Sequence, residues 1–285
     1  MLFFIVSLLA STVGAICGIG GGVIIKPVLD MLNLETVTTI SFLSGCTVLS
    51  MTCYSVGRSM LAGERRVALR TGTPLAVGAA IGGLLGKQLF SFIRSLFHDQ
   101  NTVGAVQAVC LAVITLGTLI YTVNKNRIHT KEIQNPAACV IIGLALGVMS
   151  SFLGIGGGPI NLVVLFYFFG MDTKTAAANS LYIILFSQLA SVLATVVTHA
   201  VPPFQWTALL LMAAGGIGGG IAGRALNRRM DEKMVDKLFI GLMAVIIGIS
   251  IYNGWQYSIQ SGQAEHWTPR SCCAATLIQK AFLPH

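Results

Sequence analysis

The chain has 285 residues, 54% of them hydrophobic and only 10% charged, with a formal net charge of +8 and a mean hydropathy of +0.79. Soluble proteins carry about 25% charged residues, so these values exclude an ordinary soluble domain and point to a polytopic membrane protein. The Lys and Arg residues are spread through short loops between apolar runs with no aromatic–basic face, which argues against nucleic acid and makes the lipid bilayer the first partner.

The N-terminal run Met1-Leu2-Phe3-Phe4-Ile5 lacks the basic stretch of a cleaved signal peptide and reads as the start of an apolar arm over 2–16. Gly18-Ile19-Gly20-Gly21-Gly22 breaks that arm, and a short arm follows at 23–33. Helices are expected at about 36–56, 67–93 and 102–123. A polar linker over 124–136 precedes arms at 137–153 and 159–170, which flank a second break, Gly154-Ile155-Gly156-Gly157-Gly158. Helices at about 173–199, 204–227 and 235–253 complete the pattern. The tail over 254–285 is mixed in composition and reads as a frayed terminus.

The second half repeats the first at an offset of about 136 residues, a common trait of transporter folds. Besides the glycine clusters, Leu34-Glu35-Thr36 matches Met171-Asp172-Thr173, and Gly82–Lys87 matches Gly219–Arg224. The expected units are a first repeat over 1–123, a cytoplasmic linker over 124–136, a second repeat over 137–253 and a polar tail over 254–285.

Charge separates two threadings. If each glycine-broken segment crosses the membrane, Lys and Arg divide evenly between the two sides. If each instead returns to its own side, one side keeps only Lys26, Lys87, Arg94, Arg270 and Lys280, and all the others collect opposite. The positive-inside rule favours the second. Three spans per repeat is an odd number, so the second repeat is expected to be inverted. The expected fold class is therefore an all-α integral membrane protein of two inverted repeats, each a glycine-tipped re-entrant helical hairpin plus three transmembrane helices. Arms of about 11 to 17 residues reach roughly 16–25 Å at 1.5 Å per residue, which brings both tips toward the middle of a hydrocarbon core of about 30 Å.

A broken helix inside a membrane exposes backbone groups that only protein or a polar cavity can satisfy. Consecutive glycines allow close backbone approach, and their N–H groups, with the helix N-terminus behind them, form a setting that favours an anion. The expected substrate-binding residues at the tips are Gly18, Gly20, Gly21, Gly22, Gly154, Gly156, Gly157 and Gly158; the alternative is that they only permit tight packing. Ser151, Asn161, Asn179, Ser180 and Cys17 add polar groups near the expected centre, against an alternative of ordinary interhelical bonding and, for Cys17, an inert buried thiol. The glycines near 82 and 219 have small-xxx-small spacing and read as packing. Lys26, beside Pro27, either draws an anion into the external vestibule or snorkels to the interface, the favoured reading.

Absences narrow the chemistry. The ten acidic residues are expected in loops, near segment ends or in the tail, which leaves no obvious group to couple protons or Na⁺. There is no phosphate-binding G-x-x-x-x-G-K-[ST] motif, and no metal-ligand spacing among the seven Cys. No catalytic residue, cofactor or metal is expected.

Gly18–Pro27, Gly154–Pro159, Ala177-Ala178-Asn179-Ser180 and the Gly-rich segments near 82 and 219 together resemble the sulfite exporter TauE/SafE family of membrane permeases. The resemblance covers roughly residues 1–253. It implies transport of a small sulfur-containing anion (sulfite, a sulfonate or a related organosulfur anion) across a bacterial-type inner membrane, without fixing direction. Pro159 and Asn161 have no like residue at Val23 and Ile25, so the two tips need not contribute equally. Two other readings stand beside transport: an intramembrane enzyme acting on a sulfur compound through Cys17 or Cys46, and a non-transporting membrane scaffold. The sequence leaves the anion, the coupling ion and assembly into a homo-oligomer open.

Overall fold

The computed structural model describes residues 1–32, 35–63, 67–96, 100–125, 129–133, 135–153, 155 and 158–265. Among these residues the chain is all helical, with ten α-helices and no strand: α1 (Leu2–Cys17), α2 (Gly22–Met31), α3 (Val37–Leu61), α4 (Leu69–Leu96), α5 (Gln100–Asn124), α6 (Pro136–Leu153), α7 (Pro159–Phe169), α8 (Thr173–Val197), α9 (Trp206–Arg229) and α10 (Glu232–Glu265). The elements follow the expected order. The last helix runs past 253 to Glu265, so the first part of the expected tail is helical and Tyr257 is buried on it.

Among the described residues, seven helices are long and apolar enough to cross a membrane: α3, α4, α5, α6, α8, α9 and α10. Six are the expected spans. The seventh, α6, is the first arm of the second hairpin; its 18 residues extend about 27 Å. Large apolar side chains such as Leu9, Val113, Ile141, Leu210 and Ile251 are exposed, while Ser7, Ser11, Thr47, Asn179 and Gln188 are buried. That distribution suits lipid outside and interhelical polar packing inside.

Local chemistry sets the helix ends. Gly18 closes α1 in the left-handed region at φ 76°, with its N–H and that of Ile19 both donating to the Gly14 carbonyl. A residue with a Cβ pays a steric penalty there, which is why the helix stops at a glycine. Thr36 caps α3 by accepting from the Thr39 N–H, and Asp172 caps α8 by accepting from Thr175. These caps make Thr36 and Asp172 counterparts, one residue away from the sequence match of Glu35 with Asp172.

The packing is exchanged between the two halves. α1 lies against α9, and α6 lies against α4; α3 also packs on α9, and α8 on α4. α2 meets α10, and α7 meets α5. Each relation maps onto its partner when α1–α5 is swapped with α6–α10. Contact is backbone to backbone. A Cβ at Gly78 or Gly82 would lie 2.1 Å from the carbonyl oxygen of Val140 or Leu144, and one at Gly143 or Gly147 would lie 2.1 or 2.2 Å from that of Leu75 or Ala79. A Cβ at Gly219 or Gly223 would lie 2.6 or 2.5 Å from the Leu8 or Thr12 carbonyl oxygen of α1. Overpacking typically costs about 1–3 kcal/mol, and here the neighbours are backbone atoms that cannot step aside. Gly82→Leu and Gly143→Leu are therefore each expected to lower the unfolding temperature in detergent markedly, whereas Gly241→Leu, with open space around it, should leave it unchanged.

Two end-clusters fix where the hairpins open. Phe3 and Val6 of α1, Ile25 and Leu29 of α2, Ile40 and Leu43 of α3, and Ala208 and Met212 of α9 share one apolar cluster. Residues 131 and 133, just before α6, donate backbone N–H groups to Tyr167 and Phe168 at the end of α7. The start of α6 and the end of α7 therefore lie side by side. Nearby, Lys125 pairs with Asp236 at 2.5 Å, and Thr173 donates to the same carboxylate at 2.9 Å, tying α5, α8 and α10.

Candidate functional site

The two glycine breaks touch. A Cβ at Gly22 would lie 2.1 Å from the Ile155 carbonyl oxygen, and one at Gly18 would lie 2.3 Å from the Ala177 Cα. Gly21 faces Ser11, with its Cβ position 2.8 Å from the hydroxyl, and Gly20, at φ 76°, sits 3.5 Å from Ile184 and Val48 side chains by the same measure. Gly158 is the extended N-cap of α7, with Pro159 following. Gly154, Gly156 and Gly157 lie outside the described residues.

The carbonyls freed by the breaks have partners. The Asn227 amide donates to Ile16 O at 2.6 Å. At the second break, Gln107 Nε2 donates to Phe152 O at 2.7 Å, and Lys26 Nζ donates to Leu153 O at 2.9 Å and to Gln107 Oε1. Ile16 and Phe152 are equivalent positions, so an amide from another helix serves each break. Lys26 neither snorkels nor faces a vestibule: it is 4% exposed, and its ammonium sits on the negative end of α6, where a cation is stabilised. No motif signals this contact, because Leu153 is far along the chain and meets Lys26 only through folding.

The remaining expected site residues are all buried. Asn179 is fully enclosed; its oxygen accepts from the Ala68 N–H at 3.0 Å, and its amide donates to Thr175 O at 2.8 Å. It thereby caps the start of α4. Cys17 is fully buried in the main apolar cluster. Asn161 is 1% exposed, and its Oδ1 has no partner among the described residues; the same holds for the Ser180 and Ser151 hydroxyls.

Two crevices flank this centre, and sequence reading missed most of their walls. One, of about 600 Å³, is lined by Ala15, Ser55, Val56, Ser59, Ala177, Leu181, Arg224 and Arg228, among others. The other, of about 410 Å³, is lined by Ser41, Gly45, Lys87, Gln107, Ser151, Gln188, Ser191, Val192 and Thr195, among others. The walls correspond at the repeat offset: Ser55 with Ser191, Val56 with Val192, Ser59 with Thr195, Ala15 with Ser151, and Arg224 with Lys87. The repeat offset, applied to polar residues as well as to glycines, was the signal that could have found them. The first crevice uses the C-terminal part of α3 and the N-terminal part of α8; the second uses the opposite parts. Among the described residues neither has an acidic side chain in its wall, so the described walls present positive charge, a field that gathers anions. Arg224 is held by a 3.0 Å bond to Ser55 O, and the Lys87 ammonium sits 5.7 Å from the Phe90 ring centroid.

Between the crevices lies an apolar plug. Val48 and Ile184, again equivalent positions, are both fully buried and flank Gly20. One turn before each stands a fully buried serine, Ser44 or Ser180, whose hydroxyl has no partner among the described residues.

The family described as "Sulfite exporter TauE/SafE" matches residues 3–251. Two relatives from Bacillus subtilis (strain 168) are similar. "Probable membrane transporter protein YunE" is 23% identical over 75% of this chain and 84% of its own length. "Probable membrane transporter protein YdhB" is 24% identical over 65% of this chain and 74% of its own. No solved structure matches. With seven helices fit to span a bilayer and a match over nearly the whole sequence, the chain is a multi-pass membrane protein of the sulfite exporter TauE/SafE family of membrane transporters.

Proposed function

We propose that the chain is a permease that moves a small sulfur-containing anion (sulfite, a sulfonate or a related organosulfur anion) across a bacterial inner membrane, and that it is not an enzyme. The observation that carries the reading is the pair of equivalent crevices, the first lined by Lys174, Arg224, Arg228 and two serine hydroxyls and the second by Lys87 and four hydroxyls, separated by the Val48–Ile184 plug. The sulfur anion itself comes from the family name. The substrate passes between Arg224 and Lys87 along Ser44, Ser180 and Ser151, beside Gly20.

The two halves act as inverted repeats. The exchanged helix packing and the opposite placement of the two end-clusters support this, since α9 starts in the cluster of the first hairpin and α10 starts at the Lys125–Asp236 end. Rocking one repeat against the other would open each crevice in turn, the usual working of such repeats. Neither Cys17 nor Cys46 lines a crevice, so nothing favours thiol catalysis. The remaining tip residues, Gly18, Gly21, Gly22, Gly158, Asn161, Asn179 and Cys17, hold the two breaks in place around that path.

The test is uptake of radiolabelled sulfite, thiosulfate, taurine and sulfate into proteoliposomes. Saturable uptake of at least one, competed by the others in a fixed order, is the expected result. Uptake no faster than in protein-free vesicles for all of them withdraws the sulfur-anion assignment.

A further inference from the structure

A third pocket lies behind the second crevice and shares Gln107 with it as a wall. Its lining includes Lys26, Asp30, Ser250 and Asn253. Asp30 stands near a segment end, at the close of α2, as the sequence suggested. It is nevertheless only 8% exposed, with Ser250 and Asn253 at 1% and 3%. An ionisable residue this enclosed within a membrane protein calls for a functional account.

The hydrogen bonds of this pocket do not close. Asn253 spends its amide N–H on Pro27 O at 2.8 Å, so its oxygen is left as an acceptor. Tyr257 is hydrogen-bonded to the Asp30 carboxyl, yet among the described residues Asp30 Oδ1 has no partner, and neither has Asn253 Oδ1 or the Ser250 hydroxyl. An ionised carboxylate and an amide oxygen can only accept. The third ammonium hydrogen of Lys26 and the second amide hydrogen of Asn253 reach none of these three oxygens, which have one hydroxyl hydrogen among them. Buried unsatisfied polar groups are costly and rare in native structures.

We infer that this pocket binds a proton on Asp30, and that the proton is co-transported with the anion. The inference rests on the transport reading. The proton arrives through the second crevice, past Gln107, and forms an O–H bond at Asp30 Oδ1. The new hydroxyl donates to the Asn253 oxygen, and the carboxylate becomes a neutral acid. Release reverses the step. A metal ion fits worse: three side-chain oxygens make a sparse cage, and the Lys26 ammonium acts on Asp30 from one turn away.

The same charges link proton to anion. Ionised Asp30 offsets the Lys26 charge. Once Asp30 is protonated, Lys26 lacks that offset in a low-dielectric setting, next to the crevice that holds Lys87. Lys87 already repels Lys26, so an anion in the crevice relieves both. Tyr257 from α10 and Lys26 and Lys87 are the titratable groups facing Asp30 or its partner; α1, α3 and α6 add none among the pocket's walls. Proton and anion therefore each raise the affinity of the other, as linkage requires, and the cycle is proton–anion symport.

Two measurements test this. Infrared difference spectra of the native protein in bilayers, taken from mildly alkaline to mildly acid pH, should show a protonated-carboxyl band that shifts in Asp30→Glu and vanishes in Asp30→Asn. In vesicles, Asp30→Asn should still exchange radiolabelled sulfite, after subtraction of leak in protein-free vesicles. It should concentrate sulfite under an inward proton gradient by roughly tenfold less than native. A missing band, a band unchanged in Asp30→Asn, or native-like accumulation by that variant overturns the inference. Accumulation that depends on sodium at constant pH overturns it in favour of a metal ion. If the native protein exchanges no sulfite, the transport reading fails and the infrared band alone decides whether the proton site exists.

Discussion

Lys87→Ala is expected to raise the half-saturating anion concentration roughly tenfold or more, and Arg224→Ala to do the same from the opposite side. A unit charge about 4 Å from an anion is worth about 4 kcal/mol at an effective dielectric of 20. Even a third of that, about 1.4 kcal/mol, is a factor of ten in affinity. Among the described residues each crevice has cationic walls and no acidic one, so no described carboxylate in the wall cancels the lost charge. Lys87→Arg should keep most of the uptake, because it keeps the charge. Arg224→Lys should lose more, because the guanidinium also holds Ser55 O at 3.0 Å, and an ammonium does not replace that planar fork. Initial rates of sulfite uptake at varied concentration give the result directly. Unchanged uptake in both alanine variants would remove the crevices from the path.

Gly22→Leu is expected to abolish both uptake and the folded thermal transition. The position has no room: its Cβ would meet the Ile155 carbonyl oxygen at 2.1 Å and Val48 Cγ2 at 2.9 Å. Either the two breaks separate or the helices around them shift, and cores resist such overpacking. Gly158→Ala offers the contrast. Its backbone is extended at φ −160°, which any residue adopts, and among the described residues its Cβ would meet only Ile155 Cδ1 at 3.4 Å. That variant should fold and transport nearly as the native chain does. If Gly158→Ala transports nothing while unfolding at the native temperature, then Gly158 contacts the anion directly and its backbone is part of the binding site.

Much of the architecture could be read from sequence, for physical reasons. Apolar runs interrupted by Gly, Pro and charged loops mark helix ends, and all ten helices start near their expected places. The glycines near 82 and 219 were read as packing, and they do lie against backbone carbonyls. The crevices were harder, because their walls come from helices far apart in sequence: Ser191, Lys87 and Gln107 share a cavity only after α4, α5 and α8 assemble. Lys26 shows the same limit. A lysine beside a proline in an apolar arm looks like an interfacial residue until Leu153 O is found on its ammonium. Asp30 was placed correctly near a helix end, but nearness to an end says nothing of burial, and α10 covers it.

The central claim is that two equivalent crevices open on opposite sides of the membrane. The direct measurement is side-specific labelling of Ser59→Cys and Thr195→Cys, each in a chain stripped of its native cysteines, with a membrane-impermeant thiol reagent. Right-side-out and inside-out vesicles expose the two faces in turn. Ser59→Cys is predicted to react, and to lose uptake, only from the Arg224 face, and Thr195→Cys only from the Lys87 face. Reaction of both positions from one face would contradict the account.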